Sequence, residues 1–152
     1  FGGKITTFRK LSEHAIEKIA KFFPTMGGNW TRQAILPGGE IENADFIQFT
    51  ESLRRTYPWM PRALIHHYGR LYGSRIDKIV GSVTALDGLG RHFGAHLYEA
   101  EVRYLMANEW AMTAEDILQR RTKQGLHLSE NEKTAFGAWF EADGAQRLRA
   151  SS

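Results

Sequence analysis

The chain is 152 residues long, 42% hydrophobic and 24% charged, a composition that suits one ordinary globular domain with material for a core. Its 20 basic and 17 acidic residues leave a formal charge of +3. The densest basic clusters, Arg54-Arg55 and Arg120-Arg121, are only dipeptides, so nothing resembles the basic face of a nucleic-acid binder. There is no cysteine, which excludes disulfides and thiolate metal sites, and no apolar run approaches the roughly 18 residues of a membrane-spanning helix. With no signal-peptide pattern at the start, the expected location is the cytoplasm.

The opening Phe1-Gly2-Gly3-Lys4-Ile5-Thr6-Thr7 reads as a strand end and a glycine turn just before a helix, with Thr6 or Thr7 as the cap. Phe8, Leu11, Ala15, Ile19 and Phe22 then form a helical stripe that Pro24 stops. Residues 24–42 carry Gly27-Gly28 and Pro37-Gly38-Gly39 without a sustained period and read as a long structured loop. Asn43 or Asp45 is placed to cap a helix burying Phe46, Phe49, Leu53 and Tyr57, and the Pro58 and Pro61 pair breaks the chain after it. A short helix from Pro61 presents Leu64, Tyr68 and Leu71; Gly73-Ser74 ends it and caps the next, over about 75–83.

A turn at 87–91 precedes a helix marked by Tyr98, Val102 and Leu105. Thr113 and Asp116 form a capping box with Asp in the usual place of Glu, ahead of Ile117 and Leu118. Ser129 and Glu132 form a regular one, ahead of Ala135, Phe136, Trp139 and Phe140. Strand-like alternation is nearly absent. The expected fold is all-α, an orthogonal bundle of six or seven helices around one core.

Few residues point to chemistry. No phosphate-loop, zinc-protease or Cys/His metal pattern is present, so no metal site is expected. Gly88-Leu89-Gly90-Arg91-His92-Phe93-Gly94 imitates a dinucleotide fingerprint, but its third glycine is one position late and no strand precedes it, so it reads as a loop. His92 and His96 share a helix face only if Gly94 between them lies in a helix, and they have no carboxylate partner. Of the adjacent His66 and His67, one is expected to be half-buried beside Tyr68 and Leu71. Trp59, Trp110, Trp139 and Phe140 read as core aromatics.

The exception is Gly2 to Thr7. Glycines admit a flat ligand close to the backbone. A helix starting just after them directs free N–H groups and the positive end of its dipole at that ligand. Lys4 adds a cation and the Thr hydroxyls add donors. The set suits a phosphate or another group that gains negative charge.

Gly2-Gly3-Lys4-Ile5-Thr6-Thr7-Phe8-Arg9-Lys10-Leu11 resembles the G-G-K-[LI]-T-T-[YF]-R-x-[LM] segment of the FAD-dependent glycerol-3-phosphate dehydrogenases. Further similarities follow in order: Leu36-Pro37-Gly38-Gly39, Tyr68-Gly69, Glu101-Val102-Arg103-Tyr104, and the stretch Thr113 to Lys123 with its E-D-x-L-x-R-R-T-[KR] pattern. Phe8 stands where Tyr is usual. The resemblance implies that residues 1–7 are the end of an FAD-binding domain and 8–152 a C-terminal helical domain. The parent would oxidise sn-glycerol 3-phosphate to dihydroxyacetone phosphate and pass electrons to membrane quinone, or in related oxidases to oxygen. Its location would be peripheral on the inner face of the cell membrane. It further implies that Gly2, Gly3, Lys4, Ile5, Thr6 and Thr7 lie against the flavin, with Lys4 also on the substrate phosphate. The dinucleotide fingerprint and the catalytic base are not in these residues, so the chain alone is expected to hold no catalytic residue, to bind FAD poorly and to be inert. Its partner would be the flavin-binding domain of the same polypeptide. The alternative reading is a non-catalytic helical module that binds a protein or a membrane surface.

Overall fold

The structure is a computed structural model, and it describes residues 4–144. The chain folds as two compact units, Phe1–Leu36 and Pro37–Ser152.

In the first unit a 3-10 turn, Ile5–Thr7, leads into α1, Phe8–Ile19, with a further turn over Ala20–Phe22. The helix forms where the apolar period predicts it, but its stripe is not a core. No residue of α1 is buried, and Phe8, Leu11 and Phe22 are 62%, 61% and 68% exposed. The buried core cluster, Leu53 to Phe140, belongs to the second unit. The opposite, polar face of α1 is tied down locally. Glu13 accepts from Arg9 at 2.7 Å and from the Thr31 hydroxyl at 2.6 Å, and Glu17 accepts from Asn29 at 2.6 Å. The loop over 29–31 is thereby fastened to the helix.

The second unit carries the core. Its helices are α2 Phe46–Thr56, α3 Arg62–Tyr72, α4 Ile76–Val80, α5 Glu99–Asn108 and α6 Glu130–Trp139. Asp45 caps α2, accepting from the amides of Ile47 and Gln48. Gly69 lets α2 approach α3: a Cβ there would already touch Leu53, Phe46 and Phe49. At the end of α3, Gly73 has φ +56 and a Cβ would overlap the Gly38 carbonyl. That carbonyl accepts from the Ser74 amide at 3.0 Å. The Glu40 carboxylate accepts from the Gly38 amide and the Ser74 hydroxyl, and the Ser74 bond holds its carboxyl below the usual range. The Pro37-Gly38-Gly39 segment thus closes over the α3 terminus. Ser74 serves this loop and does not cap α4, which is shorter than expected.

Between α4 and α5 the chain makes a small antiparallel hairpin, β1 His92–Gly94 and β2 Leu97–Tyr98, with His92 opposite Tyr98 and the two rings stacked at 4.5 Å. The expected turn at 87–91 overlaps the 3-10 turn Leu86–Leu89, whereas His92–Gly94, read from the sequence as loop, is strand β1. After α5, Asp116–Arg121 winds as a π-helical turn. Its start is the expected Thr113/Asp116 box: the Thr113 amide donates to Asp116 and the Asp116 amide donates back to the Thr113 hydroxyl. The Ser129/Glu132 box opens α6 as expected. Phe136, Trp139 and Phe140 are buried, whereas Ala135 is exposed. Among the described residues no helix is long and apolar enough to cross a membrane.

Candidate functional site

Of the residues assigned to the ligand edge, Gly2 and Gly3 lie outside the described residues. Lys4 is extended (φ −62°, ψ 137°) and exposed. Ile5, Thr6 and Thr7 form the 3-10 turn, and Ile5 is 86% exposed. The turn's first hydrogen bond runs from the Thr7 amide to the Lys4 carbonyl at 2.9 Å, so the Ile5 and Thr6 amides stand upstream of it. Neither threonine caps α1 through its side chain. The Thr7 hydroxyl instead donates back to the Lys4 carbonyl at 2.8 Å, which corrects the expected cap. What results is an open, positively charged edge: amides, one ammonium and the Thr6 hydroxyl. Just beyond it, Arg9, Lys10 and Arg32 line a cavity of about 440 Å³ with Glu13 and Asn29. The first turn of α1 holds no acid, so the helix dipole and these cations add to the same positive field. This donor set fits one side of an anionic or electron-accepting ligand. It does not enclose one.

In the second unit a buried polar cluster escapes the sequence reading. Glu101 on α5 is 0% exposed. Its Oε1 accepts from Tyr72 Oη at 2.6 Å and pairs with His67 Nε2 at 2.8 Å. Gln124 Nε2 lies 3.3 and 3.5 Å from the two nitrogens of the same imidazole, so it sits across the ring and not along one lone pair. Gln124 Oε1 accepts from the His96 amide, and the His96 ring lies 5.5 Å from that of His67. The cluster joins α3, α5, the hairpin and the turn at 124. Burial pushes the Tyr72 phenol far up, and the Glu101 charge adds to it. His67 is the half-buried member of its pair, against Tyr68; His66 is exposed beside Phe46. The signal for Glu101 was its spacing, one turn after Tyr98 and one before Leu105, on the face those two residues mark as buried.

His92 and His96 do not share a helix face. The hairpin separates them, and His92 Nε2 bonds the Ala95 carbonyl at 3.0 Å. Among the described residues, no three His, Asp or Glu side chains converge as a metal set. Burial first, then the charges of His67, His127 and His92, lowers the pKa of His96 from its ordinary 6.5. The unfolded chain therefore takes up this proton before the folded one does, and stability present above pH 6.5 is lost as pH falls below it. Urea midpoints measured from pH 7 to about 5 should decline, and His96→Gln should flatten the slope. An equal slope in both proteins would exclude His96 as its source.

Arg120 has a local role: it donates to Glu115 and Asp116 at 2.9 and 2.6 Å. Asp116 accepts in turn from the Met112 and Thr113 amides. Arg120 above all holds the Asp116 carboxyl well below the usual carboxylate range. The arginine thus braces the loop before the π-helical turn. Trp110, expected in the core, is 82% exposed. Its backbone is left-handed (φ 54°), and fully buried Ala111 takes the inward position.

The described residues form a mainly helical chain with an open, positively charged edge before α1. Residues 29–138 match the family model of the C-terminal domain of alpha-glycerophosphate oxidase, and the chain belongs to that family. It is 62% identical over 141 residues to the D-erythritol 1-phosphate dehydrogenase of Brucella abortus (strain 2308), covering 93% of this chain and 28% of that protein. It is 42% identical over its whole length to the aerobic glycerol-3-phosphate dehydrogenase of Escherichia coli (strain K12), covering 30% of it. The glycerol-3-phosphate dehydrogenase of Pseudomonas aeruginosa is also 42% identical, over 98% of this chain and 29% of that protein. The chain thus spans less than a third of the length of these relatives.

Proposed function

We propose that this chain is the C-terminal helical domain of an FAD-dependent polyol-phosphate dehydrogenase that oxidises a secondary hydroxyl of its substrate to a ketone. The observation that carries the reading is the exposed Lys4–Thr7 edge leading into α1, in a chain similar over its length to glycerol-3-phosphate dehydrogenase. FAD, when bound, accepts the hydride. The chain's own contribution is electrostatic and positional. Gly2 and Gly3 admit the ligand, the Ile5 and Thr6 amides and the Thr6 hydroxyl donate to it, and Lys4 balances substrate phosphate or developing negative charge. Residues 1–7 end the flavin-binding part of the polypeptide. The uncovered stripe of α1, with Phe8, Leu11 and Phe22 largely exposed, is the face on which that part would pack, because contiguous exposed apolar surface marks an interaction site. Alone, the chain lacks a catalytic residue and is inactive.

The first substrate reading is sn-glycerol 3-phosphate, giving dihydroxyacetone phosphate, with electrons passed to quinone by a parent peripheral to the inner face of the cell membrane. A second reading is favoured by the 62% identity to a D-erythritol 1-phosphate dehydrogenase against 42% to the glycerol-3-phosphate enzymes. The tetritol phosphate is one CHOH unit longer and presents the same phosphate and secondary alcohol. Steady-state assays of the full-length gene product with a quinone analogue separate the two. A higher kcat/KM for one substrate selects it, and turnover of neither refutes the polyol-phosphate reading.

A further inference from the structure

The buried cluster around Glu101 leaves two polar atoms without a hydrogen-bond partner, Tyr68 Oη and Glu101 Oε2. Both residues are 0% exposed, so bulk water does not reach either. Tyr68 and Tyr72 lie one turn apart on α3 with ring centroids 6.0 Å apart, and Tyr72 Oη already bonds the carboxylate's other oxygen. Burial first, and then the charge of Glu101, holds the Tyr68 phenol proton on. The phenol can donate and the carboxylate oxygen can only accept, yet the two make no hydrogen bond to each other. Buried polar groups left unpaired are costly, and proteins commonly satisfy them with internal water, about one molecule per 27 residues.

We propose that one buried water molecule sits between Tyr68 Oη and Glu101 Oε2, accepting a hydrogen bond from the phenol and donating one to the carboxylate. The site makes Tyr68 a member of the network that joins α3 to α5, and it completes the solvation of a carboxylate that has no exposed surface. It lies wholly within the second unit and is independent of the flavin reading.

The two possible states of Tyr68 give opposite signs on removing its hydroxyl. If water links it to Glu101, Tyr68→Phe breaks the link and leaves the carboxylate short of a donor. If the hydroxyl is unpaired, Tyr68→Phe removes a buried polar group and leaves stability unchanged or raised. The expected result is a roughly tenfold shift of the unfolding equilibrium toward the unfolded state in urea titrations of the 152-residue chain. A crystal structure of the unsubstituted chain, refined finely enough to show ordered water, should place one molecule within hydrogen-bond distance of both atoms. A map without that water, or a Tyr68→Phe variant as stable as the unsubstituted chain, overturns the proposal.

Discussion

Glu101→Ala should lower the unfolding free energy by about 3 kcal/mol, because it strands two donors in the interior. Tyr72 Oη and His67 Nε2 both end on Glu101 Oε1, at 2.6 and 2.8 Å. Bulk water is a poor substitute for that acceptor, since Tyr72 is 8% exposed and the His67 side chain 11%. Glu101→Gln keeps a carbonyl at the same position and should cost less, about 1 kcal/mol. Urea unfolding of the three proteins measures both. Equal stability of the Ala variant would mean that the cluster contributes nothing net, as some buried ion pairs do.

Phe136→Ala should cost about 4 kcal/mol, the usual range for deleting a fully enclosed aromatic ring. Phe136 is 0% exposed. Its ring meets Phe93 of β1 edge-on at 4.9 Å and lies near Trp139 and Phe140 at 6.1 and 5.9 Å. With Trp139, whose ring lies 4.6 Å from Phe93, it holds α6 to the hairpin, so the cavity opens between two elements joined there by side chains. Thermal unfolding should show a large drop in midpoint together with earlier loss of near-UV aromatic signal. A loss below about 1 kcal/mol would mean that the site collapses without a void.

Local chemistry was the part of this fold most legible in the sequence. The Ser129/Glu132 and Thr113/Asp116 boxes, the Asp45 cap and the Pro58/Pro61 break each depend on residues a few positions apart, and each is present. Features decided at long range were less legible. Periodicity shows that α1 has an apolar face but not what covers it, and here its residues stay exposed. Trp110 carries the size and polarity of a core residue, yet a left-handed backbone turns it outward while Ala111 fills the space. The hairpin at 92–98 is too short for a period of two to register. Glu101 sat on the buried face by spacing, but its charge argued against burial until His67 and Tyr72, 34 and 29 residues away, were brought to it.

The candidate site divides in the same way. The sequence identified a glycine turn, a lysine and a helix start, and the described part of that segment is open and positively charged. The motif at 36–39 gains a structural reason in its closure over Gly73 and Ser74. Arg120, which matches a family motif but received no role from the sequence, braces Asp116 and its loop.

The central claim, that this is the helical domain of a flavoprotein whose flavin is held mainly by the rest of the polypeptide, is tested most directly by absorbance of two purified proteins. The full-length gene product should carry flavin bands that bleach when polyol phosphate is added anaerobically. The 152-residue chain should be colourless and should remain so after incubation with FAD. A colourless full-length protein that binds no added FAD would contradict the account.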